Sequence, residues 1–297
     1  MPNERLLLAI DGSVQADAAA EFLASWASAL KLSEVILVHA IEAETFSERA
    51  TGIGETAEEL AELGMRVTRT ARRILDTAGI RHRLDTKLGN PVDVILDTMA
   101  NEHIDEAVMG TRGMSPWQGL FVGSVAYKVI HRASVPITIV GIPPVELARP
   151  RASAGSVSRI LLAIDGSAHS MSTTQYLCRW LAAGMRFHVD LLNVPLPVAS
   201  ANVRRFLNQE VIDSFYQEEG ERALSEASRA LSTAGIGFDR HIVAGRAADQ
   251  IVQLAIQQRC DRIVMGTRGL GAAAGLALGS VAYQVAHLSP EPLTLVK

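Results

Sequence analysis

The chain has 297 residues, 48% apolar and 20% charged, with a formal net charge of −4. This is enough for two domains of about 150 residues, each able to bury a core without disulfide or metal. The acidic balance disfavours a nucleic-acid partner, and no apolar stretch reaches the roughly 18 residues of a membrane span. Cys178 and Cys260 lack CxxC spacing and are expected to be small buried groups in a reducing compartment, which points to the cytoplasm.

Leu6–Ile10 is a continuous apolar run ended by Asp11, too short for a signal peptide and suited to a strand covered on both faces. Ser13 can cap the following helix, whose Phe22 and Trp26 lie four apart on one face. Val35–Ala40 predicts a second strand, followed by a long variable stretch and a helix ended by Gly79 at its C′ position. Arg81–Leu88 predicts the third strand. The helix after Gly89 carries Ile95 and Met99 on one face, a fourth strand ends at Met109, and Pro136–Val140 is the fifth. Residues 142–158, with Pro143, Pro144, Pro150 and Gly155, form a linker between domains at 1–141 and 159–297.

The second half repeats the first. Arg5 to Ser13 returns as Arg159 to Ser167, and Met109-Gly-Thr-Arg-Gly113 with Gly123-Ser124 returns as Met265-Gly-Thr-Arg-Gly269 with Gly279-Ser280. The offset is 154 residues through Ala40/Val194 and 156 from Gly79/Gly235, which places a two-residue insertion in the loop after the second strand. Tyr176 and Trp180 mirror the first aromatic pair. Val189–Val194, Phe238–Ala244, a strand ending at Met265, and Pro292–Val296 mirror the later strands. A repeat this long marks two copies of a complete domain. Strands alternating with helices predict an α/β fold: two tandem open five-stranded parallel sheets flanked by helices, Rossmann-like.

The unit with chemical content is Gly-x-x-Gly, nine residues, then Gly-Ser, running from a strand end to a helix start. Glycines admit a close approach of backbone to ligand, and the N–H groups at a helix N-terminus offer donors and partial positive charge to phosphate. Asp11 ends strand one and Gly110 ends strand four. If these strands are neighbours, a carboxylate faces the glycine loop across the switch-point crevice. There is no Gly-Lys-Ser/Thr of a Walker loop and no GxGxxG.

With Ala-Ile-Asp-Gly-Ser upstream and Pro-x-Thr-x-Val at the last strand, present twice, this set resembles the universal stress protein family, whose ATP-binding members carry the glycine signature after strand four. The resemblance spans nearly all of the chain outside the linker. It implies an adenine nucleotide alpha hydrolase-like fold and an ATP (or ADP/AMP) ligand, with Mg²⁺ or Mn²⁺ carried on the phosphates. By position, Ala9, Ile10, Asp11 and Ala163, Ile164, Asp165 would contact adenosine, with Ala40 and Val194 lining the adenine pocket. Met109 and Met265 would flank base or ribose. Ribose and phosphates would be held by Gly110, Arg112, Gly113, Gly123, Ser124 and Val125, and by Gly266, Arg268, Gly269, Gly279, Ser280 and Val281. The resemblance also implies pairing of the two last strands as an intramolecular pseudo-dimer, and a homodimer.

Blander roles stand beside these. The glycines serve turns and packing in a fold that binds nothing, and Asp-Gly ends strands in many proteins. Arg112 and Arg268 are as well suited to solvent as to phosphate, and His131 and His287 fit helix-end roles. Gln118 is the one candidate in the first loop for orienting water, and Leu270–Leu278 has no polar side chain. Binding with little or no hydrolysis is therefore expected. The small-residue second loop costs more entropy to order than Met114–Val122, so weaker binding at the second site is expected. The functional expectation is a nucleotide-dependent stress-response or signalling protein; the alternatives are a nucleotide-free scaffold and a slow ATPase.

Overall fold

The computed structural model describes residues 4–27, 30, 32–42, 57–111, 123–142, 157–196, 208–269 and 278–297. The chain forms two compact units, Met1–Ser156 and Val157–Lys297.

The first unit runs β1 (Glu4–Ala9), α1 (Val14–Ala27), β2 (Leu32–Ile41), α2 (Ala57–Val67), α3 (Arg69–Thr77), β3 (His82–Leu88), α4 (Pro91–Asn101), β4 (Glu106–Gly110), α5 (Ser124–Arg132) and β5 (Ile137–Val140). The second runs β6 (Ser158–Ala163), α6 (Ala168–Ala182), β7 (Phe187–Asn193), α7 (Gln209–Ala234), β8 (Phe238–Ile242), α8 (Ala247–Gln257), β9 (Arg262–Gly266), α9 (Ser280–Leu288) and β10 (Leu293–Val296). Their strand orders are β3-β2-β1-β4-β5 and β10-β9-β6-β7-β8, and every pairing within a unit is parallel. The expected fold class is observed.

Continuous apolar runs form the central strands because helices cover both faces. Leu6, Leu7 and Leu8 are all fully buried, as are Ile160, Leu161 and Leu162. In each unit the first helix packs on the helix before the third strand, and the helix after that strand packs on the last helix, making the two covering layers. Phe22 with Trp26 and Tyr176 with Trp180 are buried ring pairs with centroids 6.1 and 6.2 Å apart. Cys260 is fully buried and Cys178 partly so.

The observed bounds differ from the sequence reading mainly at element ends. The first strand starts at Glu4, the second reaches Ile41, the fourth closes on Gly110 or Gly266, and β7 ends one residue before Val194. The helix ended by Gly79 is two helices, interrupted at Thr68, whose hydroxyl donates to the Gly64 carbonyl four residues back at 2.8 Å. That bond competes with the helical ladder and bends it. Its counterpart α7 is continuous over 26 residues. Gly79 and Gly235 take the left-handed φ of +67° and +73° that stops the helix.

Candidate functional site

In each unit the first and fourth strands are neighbours, with Ala9 opposite Met109 and Ala163 opposite Met265. Chain connections leave these strands in opposite directions, so a crevice opens at their carboxyl ends. Gly12 and Gly166 make the turn there with φ of +82° and +79°. The preceding carboxylate accepts the Ser13 N–H (Asp11 Oδ1, 3.0 Å) or the Ser167 N–H (Asp165 Oδ1, 3.0 Å), a local Asx bond that fixes its orientation. The turn is pressed against a helix: a Cβ on Gly12 would lie 3.1 Å from the Val67 side chain, and one on Gly166 3.2 Å from Ala223.

The second-half crevice is a cavity of about 670 Å³. Ala163, Ile164 and Asp165 line it from β6, Met265 and Gly266 from β9, and Val194 from the end of β7. Arg268, Gly269, Gly279, Ser280 and Val281 complete the wall, so the second-half positions that the resemblance assigned to a nucleotide meet in one space. Sequence reading missed Ser170, Asn193, Leu196, Phe215, Glu219 and Ala223, which also line it. The α7 residues follow the variable stretch, where no repeated motif marked them. Ser170, in the first turn of α6, carried no such signal either, and its hydroxyl donates to Asp165 Oδ1 at 2.9 Å.

The loop between fourth strand and last helix closes on itself identically in both units. Gly123 N–H donates to the Thr111 carbonyl at 2.6 Å, and Gly279 N–H to the Thr267 carbonyl at 2.7 Å. The helices that follow, α5 and α9, start from N-cap glycines that supply no side-chain cap. The first N–H groups of each helix, around Ser124 and Val125 or Ser280 and Val281, therefore keep their donor capacity and partial positive charge for a ligand. A Cβ on Gly269 would fall on the Asp165 carboxylate, and one on Gly110 would come within 2.9 Å of the Gln15 backbone carbonyl carbon. At these two positions glycine is required by the close packing of the chain on itself around the crevice.

In the first unit Ala9, Ile10, Asp11, Ala40, Met109, Gly110, Gly123, Ser124 and Val125 take the equivalent places on β1, β2, β4 and α5. Arg112, Gly113 and Gln118 lie outside the described residues, as do Met114–Val122, 270–277 and most of the linker. His131 and His287 are exposed on the last helices, away from the helix ends that face the crevice.

The two mouths differ electrostatically. Burial, then the nearby Glu21 and Asp11 carboxylates, push the Asp17 carboxyl up from its ordinary range. At the second mouth, burial and the neighbouring Arg268 push the Lys297 ammonium down. Among the described residues no group of three or more His, Cys, Asp or Glu could hold a metal ion, and no helix is long and apolar enough to cross a membrane.

The universal stress protein family model matches residues 2–141 and again 156–297. A universal stress protein of Thermus aquaticus is 34% identical over 140 residues, 46% of this chain and 97% of that protein. One from Mycolicibacterium smegmatis is 24% identical over 299 residues, covering 98% of this chain and 96% of its own. The crystal structure of a universal stress protein from Archaeoglobus fulgidus superposes with a TM-score of 0.63 at 23% identity, over 99% of this chain and 96% of that one. With two matches that between them leave only the linker and the first residue uncovered, the chain belongs to the universal stress protein family and carries its domain twice in tandem.

Proposed function

We propose that the protein binds adenine nucleotides, ATP above all, at the carboxyl edge of its sheets and acts in stress response or signalling through nucleotide-dependent conformation or partner binding, with little or no hydrolysis. The observation that carries this reading is the second-half cavity, where a glycine-lined loop, an uncapped helix N-terminus and Asp165 converge. Its volume lies within the range of about 300–1,000 Å³ usual for small-molecule sites. The residues fit such a ligand. Gly269 leaves room against Asp165, and the first N–H groups of α9 offer phosphate several donors. Bound nucleotide would supply its own phosphate charge, and Mg²⁺ or Mn²⁺ would travel with it, while Asp165, held by Ser167 and Ser170, would orient the nucleoside. The two free thiols suit a cytoplasmic setting.

The test is to denature freshly purified protein, identify released nucleotides by mass spectrometry, and then titrate the stripped chain with ATP. Adenine nucleotide is expected, with Ser124→Ala or Ser280→Ala weakening its own site by about 1.5–3 kcal/mol through loss of a bond to charged phosphate. Isotherms unchanged in both variants would remove the phosphate assignment. A blank titration would leave a scaffold that works through protein contacts.

A further inference from the structure

The second-half cavity is polar at one end and apolar at the other. Its glycine loop and the uncapped start of α9 follow β9, and Asp165 follows β6. In the strand order β9 and β7 flank β6 on opposite sides, so the chain leaving β7 lies about 10 Å across the sheet from the glycine loop, at about 4.8 Å per strand. Helix α7 packs on β7 and β8 and lines the cavity with Phe215, Glu219 and Ala223, which are spaced four apart on one face. Ala223 stands against the Gly166 turn, where a Cβ would lie 3.2 Å from it. Phe215, two turns earlier, is therefore about 12 Å along the helix from that turn.

At this outer end Leu196 is 72% exposed and Phe215 45%, and both line the cavity. The Phe215 ring centroid is 6.0 Å from that of the buried Tyr216. Single apolar residues on a surface carry no message, but two on the wall of one cavity leave a hydrophobic face for its occupant to cover. The first half arranges the same positions the other way round. Glu59, Leu63 and Val67 stand where Phe215, Glu219 and Ala223 stand, and Glu42 where Leu196 stands. Leu63 is buried against Ile41 with Val67 packed on the pair, so the inner turns of that stripe are covered by their own chain. In the second half the apolar bulk moves to the outer end, and a carboxylate, Glu219 paired with Arg222 at 2.7 Å, takes the middle turn.

We infer that Phe215 and Leu196 clamp the base of the nucleotide in the second-half site, the phenyl ring taking one face of the base and Leu196 packing beside it, and that the first half lacks this clamp. The inference rests on the nucleotide reading and deepens it. With phosphates at the N-terminus of α9 and the sugar at Asp165, the base is the part of the ligand that extends over β6 toward the end of β7. Its faces are flat and apolar, and an aromatic ring already standing at the cavity wall covers one of them at little cost in side-chain entropy. Glu42 and Glu59 offer no such face in the first half.

The experiment titrates the full-length Ser124→Ala chain, in which the first site is weakened, with ATP and with inorganic tripolyphosphate, which carries phosphates without base or sugar. Phe215→Ala is expected to weaken ATP at least about fivefold, the lower end of what stacking a base on an aromatic ring contributes, and tripolyphosphate by less than about twofold. Phe215→Tyr keeps the ring face and should bind ATP within about twofold of the parent chain. Leu196→Ala should give a smaller loss, again for ATP alone. Both side chains are largely exposed, and the urea transition of each variant establishes that the second unit is folded. A loss of ATP affinity below about twofold in both Phe215→Ala and Leu196→Ala is less than stacking contributes and would overturn the clamp. So would an equal loss for tripolyphosphate, which would make Phe215 a support of the site's shape and not a contact of the base. ATP binding that is absent, or that Ser280→Ala leaves untouched, would overturn the nucleotide reading and this inference together. ATP binding that responds to Ser280→Ala but not to Phe215→Ala would remove the clamp alone.

Discussion

At the edge of the sheet away from the crevice, each half ties the start of its first strand to the turn before its fourth by the same two bonds. Arg5 N–H donates to Asp105 Oδ2 and Asp105 N–H to the Arg5 carbonyl, both at 2.9 Å; Arg159 and Asp261 repeat this at 2.8 and 2.7 Å. Around that shared clamp the chemistry diverges. In the first half Arg83 bridges Glu34 at 3.0 Å and Glu102 at 2.7 Å on a partly exposed surface. In the second, the positions of Glu34 and Arg83 carry His188 and Asp239, 3.0 Å apart, so acid and base have exchanged strands.

The larger change is at the position of Ile36, where the second half has Asp190, fully buried. Asp190 accepts from Arg159 at 2.5 and 2.7 Å, from His241 at 2.9 Å and from the Cys260 thiol at 3.6 Å. Burial pushes its carboxyl up, but the bonds from Arg159 and His241 prevail and hold it below the ordinary 3.8. Burial and then the adjoining Asp190 carboxylate push the Cys260 thiol up, which keeps it protonated and donating. Two copies of one fold thus retain what the backbone demands, while charges that need only a local partner are free to move or invert.

The largest expected effect breaks this comparison at its buried charge. Asp190→Asn should cost about 2–4 kcal/mol, because Arg159 loses its carboxylate in a site only partly open to water. Urea unfolding of the full chain with a probe in each unit should show the loss in the second unit alone. A loss under about 1 kcal/mol would mean that the second-half network is no stronger than the exposed pairs of the first.

Shared packing should respond alike in both halves. A Cβ on Gly64 of α2 would fall on the Thr86 hydroxyl, and one on Gly220 of α7 would lie 2.5 Å from Ile242 Cγ2. Gly64→Ala and Gly220→Ala are each expected to destabilise their own unit by about 1–3 kcal/mol through overpacking. Melting transitions that move in only one unit would show that the helix-on-strand approach is not equivalent in the two copies.

Acid sharpens the comparison next. Because the folded carboxyl of Asp190 sits below its ordinary 3.8, its contribution is complete above that value and is lost as pH falls through the lower folded value. The second unit of the native chain should lose stability over that acid range more steeply than the Asp190→Asn variant. Parallel acid titrations of the unfolding midpoint would refute the assignment.

The smallest effects concern the two mouths. Asp17→Asn removes a carboxylate beside Asp11, and Lys297→Gln removes a cation beside Arg268. If both crevices take polyanions, the first change should strengthen ATP binding in the first half and the second should weaken it in the other, each by about 0.2–1 kcal/mol. Titrations at two salt concentrations check this, because both shifts should shrink as salt rises. Shifts of the same sign would mean that local charge does not distinguish the mouths.

Much of this molecule is legible along the chain because its constraints are local or periodic. Apolar runs such as Leu6–Leu8 mark doubly covered strands. The duplicated glycines mark places where a Cβ would collide or φ must be positive, and the repeat itself separates the two domains. The remainder depends on residues distant in sequence. His103 and Arg259 occupy left-handed φ of +50° and +55° at matched turns without being glycine, a strain visible only once both turns are folded. Ser167 occupies the capping position of α6 yet makes no side-chain cap bond, the Ser170 N–H donating to its carbonyl while the Ser170 hydroxyl reaches back to Asp165. Asn193 donates to the Ile164 carbonyl, 29 residues away, and Phe215 and Glu219 reach the cavity only because α7 packs over the end of β7. Backbone conformation and burial period are written into neighbouring residues, so the sequence determined the fold and the line of the crevice. Which side chains face one another across that crevice depends on how separate elements pack, and only the tertiary structure decided it.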